Sequence, residues 1–376
     1  MFSTPPAAGD ALEVLTDINV DDLLDAAGLR ALRATPLRQL FRPPARRFAR
    51  LAQGFDERVG AHGLAAGSAW LLQQMTAGLD LRGAARLPAS GPLLVLANHP
   101  GMTDTVALLS ALAMRPDLKV IAADRPFLRA LPQVMRSLIL LPEGGGGHLT
   151  VLRHAAAHLS RGGALLSFPA GRIEPDPVSA APGRARQSLQ GWSGSAALLL
   201  GRVPQTQWLV AVVGNVVSAD AQRHALTALR RRAEDKEKLA AALQVALPRY
   251  HRLSARVAFG PAMRATGPAA ALHAAIVAQA AQLIDELPRG DTAGTRRRVP
   301  LPHAGPHFLE VEGLGEVVHC PFGEAIHRGA YVGDGGDEHD RAVGMSYPHL
   351  PQQPDAVELR HVQVGEDRSE ERRVGK

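Results

Sequence analysis

The chain has 376 residues, of which 46% are hydrophobic and 4% aromatic, so it can bury a sizeable core in one large domain or two ordinary ones. Its net charge of +6 rests on arginine, because the only lysines are Lys119, Lys236, Lys238 and Lys376, and guanidinium groups suit partners that carry phosphate. The few aromatic residues and the lack of a basic recognition helix or stacking motif argue against nucleic acid and favour an anionic lipid surface as the partner.

The single cysteine and the short apolar runs indicate where in the cell the protein is located. The single cysteine, Cys320, excludes an internal disulfide framework and fits a reducing environment. Residues 1–14 have neither a basic nor an apolar signal region, and the longest apolar runs, such as 106–114 and 208–217, fall short of the roughly 18 residues that cross a bilayer. We therefore expect a cytoplasmic protein that is peripheral on the inner face of the cell membrane.

Residues 1–84 are predicted to be an N-terminal helical segment, with helices over 20–32 and 48–79. Between them lies a basic amphipathic stretch, LRQLFRPPARRFARL, at residues 37–51. Two interpretations remain open for this stretch. It either lies in the headgroup layer of an anionic membrane or forms a solvated helix face packed on the domain, and Pro43 and Pro44 are expected to break its helix.

Strand and helix patterns alternate over residues 85–288, which predicts an α/β domain with a mostly parallel central sheet flanked by helices. The predicted strands are 93–96, 118–122, 138–141, 164–168, 208–217 and 253–259, followed by a helix over 269–287. Residues 289–376 are rich in Gly, Pro and His without periodicity, so we predict a poorly ordered tail, and its last ten residues resemble vector-derived or out-of-frame sequence.

The first stretch with chemical content is GPLLVLANHPGMTD, at residues 91–104. The apolar strand stops before Asn98 and His99, Pro100 disfavours a helical conformation at His99, and Gly101 frees the backbone. His99 is thus expected in a loop at the carboxyl end of a parallel strand, where α/β sheets place ligands. Thr103 and Asp104 follow at the start of the next helix, and either is a candidate N-cap.

A histidine beside a carboxylate is the usual way to make a general base near neutral pH, because the acid sets the tautomer and stabilises the imidazolium. The spacing of His99 and Asp104 alone is weak, and the placement after a strand and before a helix is what favours this role. The alternative is that Asp104 only caps the helix and His99 is an ordinary loop residue.

A second stretch, ALLSFPAGRIEPDP at residues 164–177, repeats the pattern of a buried strand followed by a rigid turn. Arg172 would bring a cation to the same edge of the sheet as His99. Its alternative role is a structural ion pair with Glu174 or Asp176. By contrast, GGGGH at residues 144–148 lacks the ending of a P-loop and is predicted to be a mobile turn, and no histidine or cysteine spacing predicts a metal site.

The two stretches together resemble a known family. NHPGMTD resembles the NHxxxxD block of the glycerolipid acyltransferases, the group that includes 1-acylglycerol-3-phosphate acyltransferase, and FPAGR resembles their FPEGTR block. GWSGSAALLLGRVP and LVAVVG are similar to the helix and strand that follow in the family. The resemblance covers about residues 60–287.

The resemblance implies that His99 deprotonates an acceptor hydroxyl and that Asp104 orients it. The oxygen would then attack the thioester of acyl-CoA or acyl-carrier protein, with no acyl-enzyme and no cofactor or metal. Further residues would line the substrate site, with the Arg172 guanidinium holding a phosphate. These substrate-site residues are Asn98, Gly101, Phe168, Pro169, Gly171 and Arg172.

The sequence departs from the family in the second block. Ala170 stands where the family has glutamate, Arg172 comes one position early, and LILLPEGG lacks an expected arginine, leaving Arg125 and Arg136 as substitutes. The loss of a carboxylate makes the site more positive, which favours an anionic lysophospholipid over a neutral monoacylglycerol as acceptor.

Two other classes of function stay open. The first is a lipid-binding protein of the same fold that has lost turnover, against which the intact His99 and Asp104 argue. The second is a serine hydrolase, but GWSGS at residues 191–195 lacks the closing glycine of a nucleophile elbow.

Overall fold

The computed structural model describes residues 8–142, 147–287 and 297–299, and its elements follow the predicted fold class of a mostly parallel sheet flanked by helices. The strands are β1 (Gly78–Arg82), β2 (Leu93–Ala97), β3 (Lys119–Ala123), β4 (Leu138–Leu141), β5 (Ala164–Ser167), β6 (Gln207–Gly214), β7 (Ser254–Phe259), β8 (Met263–Arg264) and β9 (Arg297–Val299). The α-helices are α1 (Ala8–Ala27), α2 (Arg42–His62), α3 (Leu64–Met75), α4 (Thr103–Ala111), α5 (Pro126–Arg129), α6 (Pro132–Met135), α7 (His148–Ser160), α8 (Arg184–Ser188), α9 (Ser195–Arg202), α10 (Ala219–Gln222), α11 (Ala225–Ala228), α12 (Ala233–Ala246) and α13 (Ala269–Glu286). Short 3-10 helices cover Arg30–Ala34, Pro36–Phe41, Ala84–Arg86, Leu189–Gly191 and Pro248–Tyr250.

Strand β2 lies in the middle of the sheet, whose order over the described residues is β4-β3-β5-β2-β6-β7-β1-β9, with β8 beside β6. Strand β2 runs parallel to both β5 and β6, so the carboxyl ends of these three strands meet at one edge. The antiparallel pairs are β6 with β7, β6 with β8 and β1 with β9. The loops that follow Ala97, Ser167 and Gly214 therefore lie next to one another at this end of the sheet.

Every residue of β2 is buried, because helices cover both faces of the sheet. Leu93 and Val95 belong to one core cluster, which α2, α3, α4 and α12 cover, whereas Leu94 and Leu96 belong to a second, which α7, α9 and α13 cover. This explains why the strand reads as an unbroken apolar run rather than as an alternating one.

Three local predictions need correction. The end of the predicted helix 48–79 is strand β1, where buried Leu79 and Leu81 alternate with polar neighbours and pair with β7. Pro43 and Pro44 do not break a helix but lie in the first turn of α2, where the missing proline N–H has no intrahelical acceptor in any case. Within the predicted tail, residues 297–299 form β9 on β1, and the rest of the tail, including Cys320, lies outside the described residues, as do residues 143–146 of the glycine-rich turn.

The basic stretch packs on α1 through ion pairs. Arg42 donates to Asp17 at 2.7 Å and also binds Glu13, while Arg46 lies 3.1 Å from Glu13. Arg38 approaches Asp17 at 3.5 Å. The acidic face of α1 thus neutralises much of the positive charge that the basic stretch could otherwise present to an anionic membrane.

The apolar side chains of the same stretch divide into two groups. Phe41 and Phe48 are half-buried, and the Phe48 ring stacks on Phe127 with 5.6 Å between centroids. Leu37 and Leu40 are exposed, at 52% and 72%. No helix among the described residues is long and apolar enough to cross a membrane. Leu37 and Leu40 are therefore the apolar side chains that this stretch exposes most.

Candidate active site

The turn between β2 and α4, residues 98–102, carries the predicted base and is called here the His99 turn. Asn98 fastens this turn to β6, because its side-chain amide donates to the Val213 carbonyl at 2.8 Å and its side-chain oxygen accepts the Val213 N–H at 2.7 Å. The amide is thereby occupied, and the role of Asn98 in the structure is to hold the turn in place. A Cβ at Gly101 would lie 3.4 Å from Val217 and 3.6 Å from Ala241, which are ordinary contact distances, so these two residues border the turn without requiring a glycine there.

His99 and Asp104 form the pair that the sequence predicts. Nδ1 of His99 lies 2.7 Å from Oδ2 of Asp104, whose side chain is fully buried, whereas 26% of the His99 side chain is exposed. An ionised carboxylate can only accept, so Nδ1 donates and the neutral ring carries its free lone pair on Nε2. This is the tautomer that a general base needs.

Asp104 lies in the first turn of α4, where the helix dipole favours a negative charge. The helix begins at Thr103, one residue earlier than a Thr103 cap and two earlier than an Asp104 cap would require, and its N-cap is Met102, which makes no side-chain capping bond. The second oxygen of Asp104 instead accepts the N–H of Thr105 at 2.7 Å. One oxygen of Asp104 therefore binds the backbone, and the other binds His99.

The surroundings raise the pKa of His99. Burial by itself lowers it, but the charge of Asp104, the hydrogen bond to that carboxylate and the charge of Glu174 together outweigh burial. The imidazole is consequently a stronger base than a free histidine, and the protonated form persists to higher pH. The Phe168 ring lies against the imidazole, with 4.7 Å between centroids, so the ends of β2 and β5 do meet at His99.

Glu174 is the residue that the sequence analysis did not place. Its N–H donates to the His99 carbonyl at 2.8 Å, and its Oε2 accepts the His99 N–H at 3.0 Å. Oε1 accepts from Trp192 Nε1 and from the Ser188 hydroxyl, each at 2.9 Å. Burial raises the pKa of Glu174, against these hydrogen bonds, which lower it. The one signal in the sequence is an acid soon after FPAGR, read there only as a partner of Arg172.

Arg172 binds neither Glu174 nor Asp176, the two partners considered for it. Its guanidinium donates to Glu234 Oε1 on α12 at 3.0 Å, and both side chains are at least half exposed. Gly171 precedes it with φ +61°, a left-handed conformation that favours glycine. The Pro169 carbonyl accepts the N–H of Ser193, which ties the turn to the segment before α9.

Asp176 joins the loops that follow β5 and β6. It is 3% exposed and accepts main-chain N–H groups from both loops. These donors are Val178, Asn215, Val216 and Val217. Burial raises the pKa of Asp176, and the four N–H groups oppose that rise. The carboxyl therefore acts in the framework of the site and is saturated by the backbone.

Two other kinds of site find no support in these contacts. Within residues 8–142 and 147–287, no group of three or more His, Cys, Asp or Glu side chains could hold a metal ion. Ser193 and Ser195 share a hydrogen bond of 2.8 Å, and no hydrogen bond from a histidine to either serine occurs in the part of the chain that the structure describes. The GWSGS segment thus lacks the base that a serine nucleophile needs.

The chain aligns with a solved structure, the 1-acyl-sn-glycerophosphate (LPA) acyltransferase PlsC from Thermotoga maritima. The sequence identity is 11% and the TM-score 0.36, over 73% of this chain and 94% of that chain. No protein-family model matches the chain, and no curated protein matches it significantly. An identity of 11% and a TM-score of 0.36 are too low to transfer an activity or a residue role from that structure. The chemistry proposed next therefore depends on the contacts around His99.

Proposed function

We propose that the protein is an acyltransferase that moves a fatty acyl group from acyl-CoA or acyl-carrier protein to the hydroxyl of a lysophospholipid-like acceptor. The observation that carries this proposal is the hydrogen bond between His99 and the buried Asp104 at the carboxyl end of β2. A base of raised pKa at that edge suits proton abstraction from an alcohol.

In this reaction Nε2 of His99 takes the proton of the acceptor hydroxyl as the oxygen attacks the thioester carbonyl. The carbon–oxygen bond forms, the carbon–sulfur bond breaks, and the proton passes from His99 to the departing thiolate. Asp104 stabilises the imidazolium that exists between these two transfers. The chain supplies a base and its orienting acid, and no side chain becomes acylated.

An anionic acceptor is part of the proposal. The arginine excess of the chain favours a phosphate-bearing headgroup, and Arg172 would bind one by exchanging its exposed ion pair with Glu234. Such acceptors occur in the synthesis and remodelling of phospholipids, and we place the reaction at the cytoplasmic face of the membrane. Leu37 and Leu40 are the exposed side chains that support a peripheral contact there.

The direct test is acyl transfer by the purified protein, with an acyl-CoA donor and lysophosphatidate as acceptor. His99→Ala should lower turnover by about 10² to 10⁴, the usual effect of losing a positioned base. Asp104→Asn should also lower it, because an amide facing Nδ1 as a donor leaves the proton on Nε2. His154→Ala is a matched control, since His154 lies exposed on α7.

Unchanged turnover in the His99 variant would refute the mechanism. A wild-type protein that binds lysophosphatidate but transfers no acyl group from either donor would instead support the inactive lipid-binding protein.

A further inference from the structure

A cavity of about 740 Å³ opens between α1, α2 and α12. Two of its lining residues, Met102 and Ile173, flank the His99 turn. Met102 is the last residue of that turn, and Ile173 directly precedes Glu174, whose N–H binds the His99 carbonyl. The cavity therefore borders the His99 turn at Met102 and the loop after β5 at Ile173, while His99 itself is not among the lining residues. Most of the remaining wall comes from helices outside the two motif stretches.

One face of α12 forms that wall. Asp235, Lys238, Ala242 and Val245 line the cavity at helical spacing. Ala241, next to this face, is the residue 3.6 Å from a Cβ built on Gly101, so the helix abuts the His99 turn there. Lys238 lies one turn before Ala241, about 4.5 Å along the helix axis. Lys238 thus lines the cavity one helical turn away from the place where α12 borders the His99 turn.

Lys238 is distinguished by its lack of a partner. The acidic residues around it on α12 are each bound by an arginine from elsewhere in the chain. These pairs are Glu234 with Arg172 at 3.0 Å, Asp235 with Arg230 at 3.0 Å and Glu237 with Arg184 at 2.8 Å. Lys238 itself has no ion pair within the described ranges, and its side chain is exposed. The local acids are thus occupied, and the ammonium is available to a ligand.

Two carboxylates of α1 also line the cavity. Asp25 is bound by Arg30 at 3.1 Å. Asp22 has a raised pKa, mainly because of burial and against the opposing charge of Arg125. Of the acidic side chains that line the cavity, Asp25 and Asp235 are each paired with an arginine, and the charge of Arg125 opposes that of Asp22, so cations of the chain offset the negative charge beside Lys238.

We propose that this cavity is the acceptor site and that Lys238 binds the phosphate of the acceptor headgroup. The inference rests on the proposed acyl transfer and adds the residue that selects its acceptor. A phosphate could also come from acyl-CoA, but the apolar side chains beside Lys238, among them Phe48 and Phe127, suit a ligand that carries a hydrocarbon chain next to its charge. The acceptor is such a ligand.

The test uses Lys238→Met, which removes the charge and keeps an unbranched apolar side chain. Lys236→Met is the matched control, because Lys236 is exposed on the same helix and does not line the cavity. Binding of a short-chain lysophosphatidate, below its micelle concentration, is measured by calorimetry for both variants and the wild type. Binding of CoA is measured in parallel, and acyl transfer gives KM and kcat for acceptor and donor.

We expect Lys238→Met to weaken lysophosphatidate binding, and to raise its KM, by about ten- to a hundredfold, the value of a charge-assisted bond. The kcat value, CoA binding, and transfer to a neutral monoacylglycerol should stay as in the wild type, and Lys236→Met should change none of them. Equal binding of lysophosphatidate by the two variants would overturn the proposal, as would a loss of CoA binding instead.

The binding assay also separates this inference from the proposed function. If lysophosphatidate binding depends on Lys238 but no acyl group is transferred, the acceptor site stands and the acyl transfer is wrong. If acyl transfer occurs and Lys238→Met behaves like Lys236→Met, the reaction stands and the assignment of Lys238 is wrong.

Discussion

Replacing Glu174 by glutamine tests whether this carboxylate positions the base. Its oxygens accept from opposite sides, Oε2 from His99 N–H at 3.0 Å and Oε1 from Trp192 Nε1 at 2.9 Å. Glutamine keeps the shape of the Glu174 side chain but has one acceptor oxygen and one NH₂ group. On one of the two sides the NH₂ group must therefore face an N–H donor. Trp192 Nε1 can only donate and its bond to Oε1 is buried, so we expect the glutamine oxygen to stay on that side and the His99 N–H, whose bond is partly buried, to lose its acceptor.

The expected fall in kcat follows from the loss of that one hydrogen bond. A buried N–H without a partner costs about 1 to 3 kcal/mol. If the His99 turn relaxes by this amount before it reaches the reactive geometry, kcat falls by about five- to 150-fold, since each 1.36 kcal/mol is tenfold in rate. The KM of the donor should change little, because the side-chain hydrogen bonds of Glu174 go to His99, Ser188 and Trp192, none of which is assigned to donor binding.

The charge of Glu174 supplies a second readout. Glu174 contributes to the raised pKa of His99, so Glu174→Gln should move the acid limb of the pH–rate profile to lower pH. Burial raises the pKa of Glu174 itself above its ordinary 4.5, so the folded state holds this proton more tightly than the unfolded chain. The wild type therefore loses stability from this group as pH rises from 4.5 through the folded-state pKa, and the variant does not.

These effects are measured by steady-state acyl transfer between pH 5 and 9, and by urea unfolding between pH 4.5 and 8. The unfolding free energy of Glu174→Gln minus that of the wild type should increase across the unfolding series. Ser188→Ala is the control, because it removes a neutral donor to Oε1 and should leave the acid limb unmoved. An acid limb and a kcat that stay at wild-type values in Glu174→Gln would refute the positioning role.

Two further predictions concern the substrate and the membrane. Arg172→Ala should weaken use of an anionic acceptor by about ten- to a hundredfold, and Glu234→Gln, which frees the guanidinium, should strengthen it; an effect on neither would leave Arg172 as a surface ion pair. Replacing exposed Leu37 and Leu40 together by serine should weaken co-sedimentation with anionic vesicles by about tenfold, whereas Leu149→Ser on α7 should not; equal binding by all three proteins would leave only the packed-helix interpretation.

The sequence by itself determined the local features of the site. An unbroken apolar run predicts β2, a proline after His99 predicts a turn, and Asp104 follows closely enough to reach the imidazole from the first turn of the next helix. These inferences succeed because they depend on backbone sterics, on hydrophobic periodicity and on partners five residues apart. The resemblance to the acyltransferase blocks likewise depends on short local sequence patterns.

The tertiary structure decided which distant groups meet. Glu174 binds the backbone of a residue 75 positions earlier, and Arg172 chooses Glu234, 62 positions later, over the two acids beside it in sequence. Strand β1 enters the sheet by pairing with β7, and α12 borders the His99 turn because Ala241 packs near Gly101. Ion pairs and buried hydrogen bonds depend on distance in space, and sequence separation carries no information about that distance until the sheet has assembled.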